Sequence, residues 1–307
     1  MGGPGEGRPP RLAARRLPAM STSLESDGAL EGELDVSAVV PGAVCHRGVT
    51  YVARQGFRRL LMDVYVPVRR TPPAPCVVWI HGGAWWEGDR RETPSTWPPG
   101  LFFPLLVEAG LAVATIDYRF SGEARWPAQG DDVAEALRFL RAHADVLRID
   151  PARIGVAGES AGGHLAAMAA LTGTGPTAVQ AAAVLYGVTD LRDFDGVEQA
   201  TPEERRGTPE VLLMGGLPDE APAAWDAASP ITHAHADAPP MLLISGDADS
   251  VVPVRQTVRL HEALVAAGAR DVVLDLVPGA DHCFGGVDAE VPLRRIVEFL
   301  AERLRAG

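Results

Sequence analysis

The sequence of 307 residues contains no lysine, and all 28 of its basic residues are arginine. This absence excludes enzymes that form a Schiff base on lysine, phosphate-binding loops that need lysine, and serine hydrolases that use lysine as their base. Cysteine is also rare. Cys45, Cys76 and Cys283 match the spacing of neither a disulfide framework nor a zinc site. We therefore expect reduced thiols, no metal site and a cytoplasmic protein.

Long apolar runs are missing as well, although 47% of the residues are hydrophobic. No run approaches the roughly 18 residues of a membrane-spanning helix. Residues 1–20 include arginines but lack the apolar core and cleavage site of a secretory signal. The formal net charge of −12 disfavours nucleic acid and other anionic polymers as partners. A small neutral substrate without membrane contact fits better, and the sequence leaves open whether the chain forms a homodimer.

Apolar strands alternate with amphipathic helices over most of the chain. Residues 1–44 are rich in glycine, proline, serine and charge and have no sustained apolar period, which predicts a disordered segment followed by one domain over 45–307. Two short runs near the start of this domain predict an antiparallel pair of strands. The later runs predict a mostly parallel sheet with helices on both faces, an α/β fold. Strands are expected at 75–80, 111–117, 153–158, 181–187, 240–246 and 272–277, with helices from 128, 161, 253 and 291.

Residues 190–236 interrupt this alternation. The segment is long for a connection and contains several prolines and turn signals. It is either a small lid over the sheet or an insertion without a functional role, and the sequence favours neither.

The stretch GVAGESAGGHL, residues 155–165, places Ser160 in the pattern G-x-S-x-G between a predicted strand and a predicted helix. A sharp strand-to-helix turn needs small neighbours because it crowds the backbone on both sides of the central residue. It also exposes the serine above a helix N-terminus, which favours developing negative charge. These features predict that Ser160 is a nucleophile.

A serine nucleophile needs donors for the oxyanion that forms during attack. The motif HGGAWW, residues 81–86, directly follows the strand PCVVWI, and its glycines allow close approach of backbone amides to a substrate. We expect the amides of Gly83, Ala84 and Ala161 to form the oxyanion hole, with Gly82 supporting the turn.

The serine also needs a base and a group that orients the base. His282 lies in the loop PGADHCF after the last predicted strand and is the best placed of the eight histidines. For the acid, GDADSVVP offers two candidates. Asp249 is preferred because Asp247 is closer to the strand end and better placed to cap the turn. The resulting order of Ser160, Asp249 and His282 is the order found in α/β-hydrolases.

Six segments in order resemble the α/β-hydrolase superfamily, namely HGGAWW, DYRFSGEARWPAQGDDVAEALRFLRAHA, IDPARIGVAGESAGGHLAA, AASPIT, GDADSVVP and GADHCF. More narrowly, they resemble the bacterial bifunctional feruloyl and acetylxylan esterases and the esterases related to hormone-sensitive lipase. The resemblance covers residues 45 to 305. It implies an eight-stranded, mostly parallel sheet, a Ser–His–Asp triad, an oxyanion loop at Gly82, Gly83 and Ala84, and no cofactor.

The function that follows is hydrolysis of short-chain or aromatic acyl esters through an acyl-enzyme. Two alternatives remain open. A related amidase, such as a formamidase or an acylaminoacyl peptidase, would share the same residues and differ in the shape of its pocket. A binding protein of this fold, like the plant gibberellin receptors, resembles these enzymes but lacks the catalytic histidine, whereas His282 is present here.

Overall fold

The computed structural model describes residues 33–35, 40–69, 73–193 and 201–305. Most of the segment 1–44 that we expect to be disordered lies outside these residues. Within it, Glu33–Asp35 forms a short strand, and the next strand begins at Ala43. The described fold thus starts before residue 45.

A single mixed sheet forms the centre of the protein. Its nine strands over the described ranges have the order β1-β2-β3-β5-β4-β6-β7-β8-β9. The strands β1, β2, β3 and β5 pair antiparallel in turn, and all pairs from β5 to β9 are parallel. The predicted eight-stranded α/β-hydrolase sheet is therefore confirmed as β2–β9, with β1 as an additional short edge strand. The strands are β1 Glu33–Asp35, β2 Ala43–Val52, β3 Leu60–Pro67, β4 Ala74–Ile80, β5 Ala112–Ile116, β6 Ile149–Glu159, β7 Ala182–Leu185, β8 Met241–Gly246 and β9 Val272–Val277.

Helices cover both faces of the sheet and form two separate apolar cores. One core joins the sheet to helices α2, α4 and α8, and the other joins it to α1 and α9. Both faces of β4 are buried, which explains why its sequence is a continuous apolar run rather than an alternating one. The helices are α1 Phe102–Glu108, α2 Ala128–Ala142, α3 Ala144–Leu147, α4 Ala161–Thr172, α5 Pro202–Arg205, α6 Pro209–Met214, α7 Pro222–Ala227, α8 Arg255–Ala267 and α9 Glu290–Arg305.

The predicted insertion at 190–236, of which residues 190–193 and 201–236 are described, contains the short helices α5, α6 and α7. It packs on the core that contains α2 and α4, where Leu213, Trp225 and Ala228 are almost completely buried. A backbone hydrogen bond from Trp126 to Leu213 ties it to the loop before α2. Among the described residues, no helix combines the length and the apolarity needed to cross a bilayer.

Four loops at one edge of the sheet carry the residues singled out in the sequence. They follow the carboxyl ends of β4, β6, β8 and β9. Because these strands are parallel, their carboxyl ends lie on the same side of the sheet, and residues far apart in sequence meet there.

Candidate active site

Ser160 occupies the sharp turn between β6 and α4, with φ 52° and ψ −118°. Only glycine fits at positions 158 and 162 on either side of it. A Cβ atom on Gly158 would lie 2.2 Å from the carbonyl oxygen of Gly162, and one on Gly162 would lie 2.1 Å from the carbonyl oxygen of Ile80. The helix follows at once, so its free N-terminal amides lie beside the serine.

His282 lies between Ser160 and Asp249. Its Nε2 is 3.1 Å from Oγ of Ser160, and its Nδ1 is 2.8 Å from Oδ2 of Asp249. The ring contacts Tyr186 edge-on at a centroid distance of 4.8 Å. Burial disfavours the imidazolium, but the interactions of the ring with Asp249 and Cys283 together outweigh burial and raise the pKa of His282 above its ordinary value. The structure thus brings together the three residues that the sequence analysis selected.

The acidic residues around His282 have different partners. The side chain of Asp249 is fully buried, and its Oδ1 accepts hydrogen bonds from the amides of Val251 and Val252 at 2.9 and 2.8 Å. Asp247 accepts one from the amide of Gly279 at 2.6 Å. The exposed Asp281 accepts hydrogen bonds from Ser250 and from the backbone amide of His282, so it caps the turn rather than orients the ring.

The loop after β4 lies beside Ser160. Gly83, Ala84, Ser160 and His282 line one cavity of about 440 Å³. The amides of Gly83, Ala84 and Ala161 donate to no protein acceptor within the described ranges. The amide of Gly82 instead donates to Oε1 of Glu159 at 2.7 Å, which leaves Gly82 in the supporting position expected for it.

Glu159 is a buried carboxyl group that the sequence analysis did not select. Burial raises its pKa to about 7, although the amide of Gly82 and the nearby His282 oppose this effect. A Cβ atom on Gly82 would lie 2.2 Å from Oε1 of Glu159, so only glycine allows this approach. Tyr118 supports the same part of the loop by donating to the carbonyl oxygens of His81 and Gly82.

His164, in the first turns of α4, is a second residue that the sequence analysis did not assign. Its Nδ1 accepts a hydrogen bond from the indole of Trp85 at 3.2 Å, and its Nε2 donates to the carbonyl oxygen of Ala228 at 2.8 Å. Burial lowers the pKa of His164 to about 4, so the ring stays neutral at physiological pH with the proton on Nε2. His164 thereby connects the loop after β4 with the insertion.

A buried ionic cluster anchors the far end of the same loop. Arg90 pairs with Asp63 on β3 and with Asp117 just after β5, at 3.2 Å in each case. Arg91 also contacts Asp63, which accepts a further hydrogen bond from the amide of Gly48. These bonds lower the pKa of Asp63 although burial acts in the opposite direction. The loop is therefore held near its start, at Gly82, and again at Arg90 and Arg91.

Over the described part of the chain, no group of three or more histidine, cysteine or acidic side chains could hold a metal ion.

The chain is similar to known proteins in both sequence and structure. The BD-FAE family profile matches residues 62–264. Esterase LipQ of Mycobacterium tuberculosis is 34% identical over 264 residues, which cover 81% of this chain and 60% of LipQ. The chain thus spans about 60% of the length of that relative.

Two solved structures are similar over most of the chain. A truncated carbohydrate esterase from gut microbiota has a TM-score of 0.74 and 28% identity, with 91% of this chain and 100% of that chain covered. A thermophilic esterase of Thermogutta terrifontis with bound propionate has a TM-score of 0.65 and 27% identity, with coverage of 85% and 94%. The resemblance to α/β-hydrolase carboxylesterases is confirmed by these matches, and the chain belongs to the BD-FAE family.

Proposed function

We propose that the protein is a serine carboxylesterase that uses Ser160 as nucleophile, His282 as general base and acid, and Asp249 as the group that orients His282. The observation that carries the proposal is the continuous line of hydrogen-bonding distances from Oγ of Ser160 through His282 to Oδ2 of Asp249. The esterase names of LipQ and of the two similar structures support the same reaction class.

The reaction proceeds in two acyl transfers. Oγ of Ser160 forms a bond to the ester carbonyl carbon while its proton passes to Nε2 of His282. The amides of Gly83, Ala84 and Ala161 hold the negative charge that develops on the carbonyl oxygen. The bond to the alcohol then breaks, and the alcohol leaves with the proton from His282. Water attacks the acyl-enzyme by the same route and releases the carboxylic acid and free Ser160.

Short-chain or aromatic acyl groups are the proposed substrates. The cavity beside Ser160 has a volume of about 440 Å³, and its lining includes the apolar side chains of Pro94 and Val251. The Thermogutta esterase is described with propionate, a short acyl product, in its structure. Carbohydrate esters are a further option for the alcohol part, because the gut esterase is named for them.

The test is steady-state hydrolysis of p-nitrophenyl esters from acetate to dodecanoate, with Ser160→Ala as the control. We expect turnover that peaks at short chains and falls by several orders of magnitude in Ser160→Ala. Comparison of p-nitrophenyl acetate with p-nitroacetanilide separates ester from amide hydrolysis, since the two differ in one linking atom. Higher kcat/KM on the anilide would favour the amidase. Turnover that is unchanged in Ser160→Ala, or absent on every ester, would refute the proposal.

A further inference from the structure

The segment that carries the proposed oxyanion donors has an unusual backbone. Gly83, Ala84 and Trp85 have φ values of 94°, 51° and 61°, which puts three consecutive residues in the left-handed region. Residues other than glycine rarely adopt this region, and two of the three carry side chains. Such a segment keeps its conformation only where the surrounding structure holds it.

Two side chains from the region around Ser160 bind residues 82 and 85, the first and last residues of the segment 82–85 within the loop after β4. Glu159 directly precedes the serine and accepts the hydrogen bond from the amide of Gly82 at 2.7 Å. His164 follows one helical turn later and accepts the hydrogen bond from the indole of Trp85 at 3.2 Å. Both side chains are buried, and the unpaired amides of Gly83 and Ala84 lie between the two attachment points.

The other hydrogen bonds of residues 82–85 do not involve residues 159–164. The amides of Trp86 and Glu87 donate to Gly83 within the loop itself, and the amide of Ser121 donates to the carbonyl oxygen of Trp85. These bonds maintain the shape of the loop. Among the hydrogen bonds of residues 33–35, 40–69, 73–193 and 201–305, only those of Glu159 and His164 connect residues 82–85 to the turn that presents Ser160.

We propose that Glu159 and His164 are positioning residues that hold residues 82–85 in register with Ser160, so that the donors and the nucleophile act on the same carbonyl group. The proposal rests on the proposed function, because it concerns the oxyanion hole of that reaction. Neither residue touches the reacting atoms in this role. Each acts through the loop.

The chemistry of the two bonds determines which substitutions preserve them. Glu159 must accept a hydrogen bond, which a glutamine oxygen can also do, whereas alanine cannot. His164 must accept at Nδ1 from Trp85 while Nε2 donates to Ala228. Trp85→Phe removes the donor of the first bond, keeps an aromatic ring in the buried site, and leaves His164 and its bond to the insertion unchanged.

The experiment measures kcat and KM for p-nitrophenyl acetate in Glu159→Ala, Glu159→Gln, Trp85→Phe and the double variant Glu159→Ala/Trp85→Phe. Glu210→Ala is the matched control, because Glu210 is a buried carboxyl on α6 that has no hydrogen bond to the loop. Thermal unfolding of each variant shows whether it is folded, and kcat is calculated per folded protein.

We expect Glu159→Ala to lower kcat about 100-fold, comparable to the loss of one oxyanion donor, with KM changed less than about threefold. Glu159→Gln should stay within about fivefold of wild type, and Trp85→Phe should lose about tenfold. The double variant should lose less than the product of the two single effects, because both substitutions release the same loop.

An inhibitor that forms an oxyanion adds a readout that a general loss of stability would not change. Ser160 adds to the carbonyl carbon of 1,1,1-trifluoroheptan-2-one, its proton passes to His282, and the ketone oxygen becomes an oxyanion. The affinity for this ketone should fall by the same factor as kcat in each variant.

A Glu159→Ala variant with wild-type kcat, or with raised KM and unchanged ketone affinity, would overturn the proposal. If Glu159→Ala does not fold, equal kcat in Trp85→Phe and wild type overturns it instead. An inert wild-type protein would show that the proposed function has failed, whereas an active wild type with unaffected variants would show that only the positioning role has failed.

Discussion

Asp249→Asn should remove almost all activity although the side chain keeps its shape. One carboxylate oxygen of Asp249 accepts hydrogen bonds from the amides of Val251 and Val252, and the other faces Nδ1 of His282 at 2.8 Å. Only the oxygen of an asparagine side chain can accept the two backbone bonds. The amide NH₂ group must therefore face His282.

An NH₂ group beside Nδ1 changes the tautomer of the imidazole. Nδ1 then has to accept a hydrogen bond, so the ring proton moves to Nε2, which faces Ser160 at 3.1 Å. In this tautomer Nε2 has no lone pair for the proton of the serine. A tautomer lock of this kind lowers kcat by about 10⁴-fold in serine hydrolases, equal to about 5 kcal/mol in the barrier.

The assay is kcat for p-nitrophenyl acetate, with Asp247→Asn and Asp281→Asn as matched controls. Asp247 bonds only the amide of Gly279, and Asp281 caps the turn of His282, so an asparagine can replace either with less than about threefold loss. A 10⁴-fold loss in Asp247→Asn with mild loss in Asp249→Asn would transfer the orienting role and refute the reasoning. Equal losses in all three variants would show that charge near the cleft matters more than the tautomer.

Three further predictions concern other positions. Gly162→Ala should destabilise the protein by about 1–3 kcal/mol in urea unfolding, because its Cβ would meet the carbonyl oxygen of Ile80 at 2.1 Å and this overpacking exceeds the helix-propensity gain of about 1 kcal/mol. The pKa of His164 is about 4 in the folded protein and about 6.5 in the unfolded chain, so the unfolded chain binds the proton at a higher pH. The free energy of unfolding should therefore fall by about 3 kcal/mol as the pH drops from 6.5 to 4. The variant His164→Asn should lack this part of the pH dependence. The same dependence of unfolding free energy on pH in the variant and the wild type would contradict the prediction. N-ethylmaleimide should abolish the esterase activity by modifying Cys283, because Cys283 lines the cavity beside Ser160 whereas Cys45 and Cys76 are buried. The variant Cys283→Ala should keep its activity after the same treatment.

Local patterns were sufficient to predict the main features of the fold and the candidate site. Ser160 stands out because the pattern G-x-S-x-G between a strand and a helix can be recognised from neighbouring residues alone, although part of the space that its glycines need is taken by Ile80 of β4. His282 and Asp249 could be selected because parallel strands bring their carboxyl ends to one edge of the sheet. The order of strands and loops along the sequence therefore indicates which loops lie near Ser160. The choice between Asp249 and Asp247 also followed from distance to the strand end.

Contacts between distant segments were not predicted. Gly82 and Glu159 are 77 positions apart, and Trp85 and His164 are 79 positions apart. The strand Glu33–Asp35 was also missed, because its three residues, ELD, are too few to establish an alternation of polar and apolar side chains. The insertion was predicted as an interruption but not as three short helices, since its prolines indicate turns and helix starts equally well.

The burial of His164, on which its proposed role depends, could nevertheless be derived once the strand-to-helix turn is accepted. Residues four apart on a helix lie on the same side, and the amide of His164 donates to the carbonyl oxygen of Ser160. A polar side chain at this position is therefore placed one turn below the nucleophile, inside the core, where it must find partners. Its two partners are the indole of Trp85 and the carbonyl oxygen of Ala228. A buried histidine four residues after Ser160 therefore needs a hydrogen-bond partner, and in the structure the indole of Trp85, in the loop after β4, donates to it.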